Sequence, residues 1–128
     1  MSGYLLDTHV LLWANAEPTR LGPATTSLLV DPSVDLLVSS VSASEIAIKR
    51  SIGRIEMSVP VGALLEPLAA EPLNLTVDHA EAVERLPLLH RDPFDRLLAA
   101  QAELDGLVLL TADERLLSYP VNTLDART

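Results

Sequence analysis

The sequence has no cysteine and a single lysine, Lys49. The first absence excludes a disulfide framework and any thiolate metal site, and it fits a reducing compartment. Aromatic residues make up only 3% of the chain and do not interleave with basic ones, so no base-stacking platform is expected; Tyr4 and Trp13 are assigned to core or interface. Long hydrophobic runs are also missing. Uninterrupted apolar stretches such as Leu107 to Leu110 fall far short of the ~20 residues that cross a bilayer, so no membrane span is expected. No basic residue precedes Arg20, and Asp7 and His9 interrupt the apolar start, so a secretion signal is not expected either and the predicted location is cytoplasmic. Basic residues are scarce throughout: nine against eighteen acidic ones, for a formal charge of −9. A broad electrostatic grip on nucleic acid is thereby excluded. A polyanionic partner would need a divalent metal, a local basic patch or a basic protein to bring positive charge.

What is present suits one compact unit. At 128 residues and 48% hydrophobic content the chain has material for one core, and residues 1–128 are expected to form a single domain. Short apolar runs at residues 4–6, 36–38, 73–75, 107–110 and 121–124 read as strands. Helical patterns lie between and around them at 8–14, 22–30, 43–52, 61–70, 79–86, 93–104 and 114–118, the fourth kinked or split by Pro67. This alternation predicts a three-layer α/β/α sandwich around a mostly parallel central sheet. In such folds ligands sit beyond the carboxyl ends of the strands, which directs attention to the polar residues found there.

Those residues are acids. Asp7 follows the first strand directly and is also a plausible helix N-cap. Glu45 closes Ser42-Ala43-Ser44-Glu45, which reads as a capping box, and Lys49 stands one helical turn beyond it. In His90-Arg91-Asp92-Pro93-Phe94-Asp95-Arg96, Asp92 before Pro93 makes a helix start, and a start needs only one cap, which frees Asp95. Asp113 follows the run 107–110, where Thr111 and Glu114 would also form a capping box. Each acid alone can be a cap. Together on one rim they change the physics: two like charges ~5 Å apart repel by roughly 3 kcal/mol at an effective dielectric of 20, so the cluster needs a cation or protons. Oxygen donors without His or Cys select hard ions, Mg²⁺ or Mn²⁺, and such ions suit phosphodiester hydrolysis.

With these motifs in place, the sequence resembles the PIN-domain ribonucleases, and more narrowly the VapC toxins of bacterial type II toxin–antitoxin pairs. The resemblance rests on Leu5-Leu6-Asp7-Thr8-His9, Ser42-Ala43-Ser44-Glu45, the segment from His90 to Arg96 with Leu98-Ala99-Ala100-Gln101-Ala102, and Leu110-Thr111-Ala112-Asp113, and it covers nearly the whole chain. It implies an endonuclease for single-stranded RNA that requires Mg²⁺ or Mn²⁺, is silenced by a cognate antitoxin and forms a homodimer. Position by position, it implies that Asp7, Glu45, Asp95 and Asp113 are the acidic quartet, Asp7 and Asp95 binding metal directly and Glu45 and Asp113 partly through water. Asp92 is read as the helix cap, exchanging roles with Asp95 if the helix begins later. Thr8 and Thr111 would fix carboxylate orientation, and Arg91 and Arg96 are candidates for RNA phosphates. His9, His79 and His90 lack the mutual spacing of a metal site and receive no catalytic role. A response-regulator receiver would need an acidic pair after the first strand and a late lysine, and a haloacid-dehalogenase-type phosphatase would need Asp where His9 stands. The remaining rival is a catalytically silent module of the same fold that works only through protein partners.

Overall fold

The computed structural model describes residues 3–128. Along the chain run β1 (Gly3–Leu6), α1 (Thr8–Ala16), α2 (Pro23–Leu29), β2 (Asp35–Ser39), α3 (Ser40–Ser51), α4 (Gly62–Leu65), β3 (Glu71–Leu73), α5 (Val77–Ala82), α6 (Pro93–Asp105), β4 (Val108–Thr111), α7 (Glu114–Leu117) and β5 (Thr123–Asp125). The five strands form one sheet in the order β3-β2-β1-β4-β5, with every pairing parallel.

Successive strand residues point to opposite faces, and the register carries this alternation across the sheet. Leu5 pairs with Leu37 and Leu109, and this face packs against Ala82, Leu98 and Leu116 from α5, α6 and α7. Leu6 pairs with Val38 and Leu110, and the opposite face packs against Val10, Leu11, Leu29, Ile46 and Leu64 from α1 to α4. Two cores on either side of a parallel sheet make the three layers that the alternation predicts. Each fully buried leucine contributes roughly 1.5–3 kcal/mol, so Leu5, Leu6, Leu109 and Leu110 make β1 and β4 the best-anchored strands.

Several boundaries differ from the sequence reading for local reasons. β3 runs over Glu71–Leu73 rather than 73–75; Pro72 is tolerated because β3 is an edge strand, and the Leu75 N–H leaves the sheet to donate to Ser40 Oγ at 3.0 Å. Leu107 is in the core but not in β4. Its N–H donates to Ala102 O at 2.8 Å, closing α6 over Gly106, whose φ of +65° suits glycine. β5 starts at Thr123 because the Val121 N–H turns back onto Tyr119 O. The fourth helical segment does split at Pro67, into α4 and a 3₁₀ turn over Glu66–Leu68.

From β1 the chain steps outward to β2 and then β3, whereas β4 and β5 lie on the other side of β1. The direction of winding therefore reverses between β1 and β4, which opens a crevice beyond their carboxyl ends. There the Asp7 N–H donates to Leu110 O at 3.0 Å.

The final residues clasp α2: the Gly22 N–H donates to Ala126 O and the Thr25 N–H to Thr128 O, each at 3.0 Å. A Cβ on Gly22 would lie 2.2 Å from Thr128 O and 2.4 Å from Arg127 O. The backbone of Gly22, at φ −73° and ψ 167°, suits any residue, so the glycine is required by close approach alone. Gly22→Ala is expected to destabilise the fold by about 1–3 kcal/mol through overpacking, measured as a lower urea midpoint. An unchanged midpoint would show that the C-terminal clasp yields freely.

Candidate metal centre

Asp7 stands immediately after β1 and is both an N-cap and a member of the crevice. Its Oδ1 accepts from the Val10 N–H at 2.8 Å, and its Oδ2 accepts from the Thr111 hydroxyl across the β1–β4 junction. Burial raises its pKa above the ordinary carboxylate value, against the opposing pull of the Thr111 and Val10 bonds.

Glu45 is not in a capping box. α3 begins at Ser40, three residues before the expected start, and Ser39 is its cap, with Oγ accepting from the Val41 N–H at 2.9 Å. That extra turn places Ser42 and Glu45 inside the helix and frees the Glu45 carboxylate, which is buried. Oε1 accepts from the Thr8 hydroxyl at 2.6 Å and Oε2 meets Lys49 Nζ at 2.6 Å, one turn along. Ser39 Oγ also donates to Gln101 Oε1 at 2.5 Å. This buried bond ties the start of α3, the helix of Glu45, to α6, the helix of Asp95.

Asp92 caps α6, its Oδ1 accepting from the Phe94 N–H at 2.9 Å and the Asp95 N–H at 3.4 Å, with Pro93 at the first helical position. Asp95, in the first turn, points into the crevice. Burial, followed by the negative charges of Asp92, Asp7, Glu45 and Asp113, pushes its carboxyl up to about 8. Asp113 caps α7 through Arg115 N–H···Oδ1 at 2.8 Å. Burial raises its pKa, but the Arg115 N–H and His90 outweigh burial and hold it below the ordinary value. The box expected between Thr111 and Glu114 does not form, because the Thr111 hydroxyl donates to Asp7 and its Oγ1 accepts from the Asp113 N–H at 3.0 Å. Thr111 thereby connects two of the acids, as Thr8 connects Asp7's helix to Glu45.

The sequence reading gives His90 no catalytic role. The ring is buried, and its Nε2 lies 2.9 Å from Asp95 Oδ2 and 3.1 Å from Asp113 Oδ2. His90, Asp95 and Asp113 form the group among the described residues whose potential ligand atoms all fall within 4.8 Å of one another. Asp7 and Glu45 lie outside that tight group but near enough to raise the Asp95 carboxyl. The available signal was His90's position two residues before the cap of the helix that carries Asp95.

The basic candidates divide. Arg96 corrects the expectation of a phosphate contact: its Nη2 donates to Val83 O at 3.2 Å and Leu86 O at 3.3 Å, bracing the turn that follows α5. Arg91 is exposed beside the crevice. A cleft of about 600 Å³ lies elsewhere, at the amino-terminal ends of β2 and β3 between Leu29, Leu36, Pro67 and Leu68. Among the described residues no group of potential metal ligands lies there, so the carboxylate crevice is the functional candidate.

The donor set fits a hard divalent cation. No hydrogen bond reaches Asp95 Oδ1 among the described residues, and its raised pKa means that ionising it is costly unless a cation shares the crevice.

The sequence profile of the PIN domain matches residues 4–122. The chain is 36% identical over 122 residues to Ribonuclease VapC22 of Mycobacterium tuberculosis, covering 93% of each. Among solved structures it is similar to VapBC2 from Rickettsia felis bound to a promoter DNA fragment, with a TM-score of 0.70 and 15% identity over 98% of both chains. A toxin–antitoxin complex from Klebsiella pneumoniae matches with a TM-score of 0.68 and 16% identity, over 97% of this chain and 98% of that one. At these identities the structural likeness is one of fold.

A group whose folded pKa is raised, like Asp95 at about 8 against an ordinary 3.8, favours the fold most below pH ~4 and loses that contribution as pH climbs to about 8. Asp95→Asn cannot ionise. In EDTA it is expected to be more stable than the unsubstituted protein at about pH 8.5, with the gain fading towards about pH 3.5, as read from urea midpoints. A gain independent of pH would place the Asp95 charge outside the crevice.

Proposed function

Because the chain belongs to the PIN-domain family, we propose that it is a metal-dependent endoribonuclease and the toxin of a toxin–antitoxin pair, with residues 1–128 acting as one domain. The observation that carries this reading is the gathering of Asp7, Glu45, Asp95 and Asp113 around the β1–β4 crevice, where Asp95 ionises readily only beside a cation. The 36% identity to a protein named as a ribonuclease supports the reaction class.

Asp95 and Asp7 would hold the ion directly, with Glu45 and Asp113 acting through water, and all-oxygen donors favour Mg²⁺ or Mn²⁺. When bound, such an ion supplies a Lewis acid for the phosphodiester and makes water a competent nucleophile at neutral pH. The protein's own share is orientation. Thr111 and Val10 fix both oxygens of Asp7, and Thr8 and Lys49 fix both oxygens of Glu45, so the carboxylates enter the reaction without reorganising. Arg91, exposed and next to His90 in the chain, would meet an RNA phosphate as a local cation on a chain that otherwise repels polyanions.

The partners in this reading are RNA, an antitoxin and a second copy of the chain. An acidic crevice suits a basic inhibitory side chain. Exposed Val30, Ile52, Val77 and Leu88, at 64–80% exposure, provide apolar surface for protein contacts. No helix among the described residues is long and apolar enough to cross a membrane. We place the reaction in the cytoplasm, where RNA is available.

The test is cleavage of single-stranded RNA with Mg²⁺ or Mn²⁺. Asp7→Asn and Asp95→Asn are each expected to lose about 100-fold or more, equal to about 2.7 kcal/mol of transition-state stabilisation, while circular dichroism shows a retained fold. EDTA should abolish activity in the parent protein. Folded protein that never cleaves RNA under these conditions would instead be a silent interaction module, and cleavage surviving both substitutions would put the site elsewhere.

A further inference from the structure

We infer that His90 is a positioning residue that holds the carboxylate of Asp113 by N–H donation, packs against that of Asp95, and is not itself a metal ligand. The inference rests on the nuclease reading only for what the site finally does; the arrangement of His90 stands on its own contacts.

Three bonds set the ring. The His90 N–H donates to the hydroxyl oxygen of buried Tyr119 at 3.1 Å, anchoring the backbone under the crevice. The Asp92 N–H donates to His90 Nδ1 at 3.2 Å, so Nδ1 presents a lone pair and the ring proton resides on Nε2. Nε2 in turn hydrogen-bonds to Asp113 Oδ2 at 3.1 Å and stands 2.9 Å from Asp95 Oδ2. A nitrogen that carries a proton has no lone pair to give a metal, and the other nitrogen is occupied by backbone. The three residues are spaced like a ligand trio, but the hydrogen-bond pattern makes the histidine a donor to Asp113, with Asp95 packed against the same nitrogen.

The arrangement leaves a defined remainder. Asp113 has both oxygens engaged, Oδ1 by the Arg115 N–H and Oδ2 by His90, whereas Asp95 keeps Oδ1 free. His90 therefore stands against one oxygen of Asp95, Oδ2, and leaves Oδ1 open among the described residues. It also links the cap of α6 to the cap of α7, since Asp92 and Asp113 are those caps. Hydrogen-bond partners of metal-binding carboxylates commonly carry 10–100-fold of metal affinity.

Two measurements on the unsubstituted protein test this without relying on a variant that folds. With ¹⁵N-histidine labelling in EDTA, two-bond ¹H–¹⁵N correlation is expected to show the His90 proton on Nε2 and an unprotonated Nδ1; a proton on Nδ1 would overturn the assignment. With Mn²⁺ bound, electron–nuclear coupling to a His90 nitrogen is expected to be absent, and its presence would make His90 a ligand. A third measurement follows Mn²⁺ affinity by electron paramagnetic resonance. His90→Leu is expected to weaken binding at least about tenfold, and His90→Gln, which keeps an N–H donor, to restore most of it. Equal affinity in His90→Leu and the parent would remove the role. If the parent shows all these properties yet leaves RNA intact, the nuclease reading fails and the His90 inference stands. If RNA is cleaved while His90 coordinates Mn²⁺, the inference alone fails.

Discussion

Like charges brought together in a partly dry crevice are the constraint to which the rest of this molecule answers. The carboxylates of Asp7 and Glu45 are buried, and Asp95 and Asp113 face them closely enough that burial and mutual repulsion push Asp95 to about 8. A fold tolerates such a cluster only by supplying donors. Val10, Thr111, Thr8, Lys49, Arg115 and His90 each take one carboxylate oxygen. The supply is nearly complete for three of the acids and incomplete for Asp95, so the site is held together and still attracts a cation.

Capping and catalysis share residues here. Asp7, Asp92 and Asp113 each start a helix in the ordinary way, and the same bonds that satisfy orphan N–H groups also lock the carboxylates in place. The winding reversal between β1 and β4 puts the starts of α1 and α7 next to each other, and α6 arrives with its own start directed at the same point. The choice between a structural and a functional acid therefore dissolves for Asp7 and Asp113: each is both.

Much of this is readable in the chain before folding. An acid directly after an apolar run, as at Asp7, marks a strand end in an α/β protein, and Asp92-Pro93 announces the start of α6. The limits are equally specific. The Ser42 to Glu45 pattern suggests a cap, but helix propagation back to Ser40 overrides it, since Ser39 can accept from Val41 and donate to Gln101 at once. Arg96 reads as a free cation, yet two carbonyls from the turn before α6 claim it. His90 eluded a search for paired histidines because its partners are carboxylates, one of them 23 positions away. Such contacts depend on side-chain placement in three dimensions, which residue spacing does not encode.

The bond from the Thr111 hydroxyl to Asp7 joins positions 104 residues apart, and Asp113 comes later still. A polypeptide emerging from the ribosome presents Asp7 first, and the strand that must lie beside it follows far later in the chain. Until β4 is released and slots in next to β1, the acids belong to separate, unfinished elements. The crevice thus assembles only once β4 has been made, and until then a growing chain holds its acids apart.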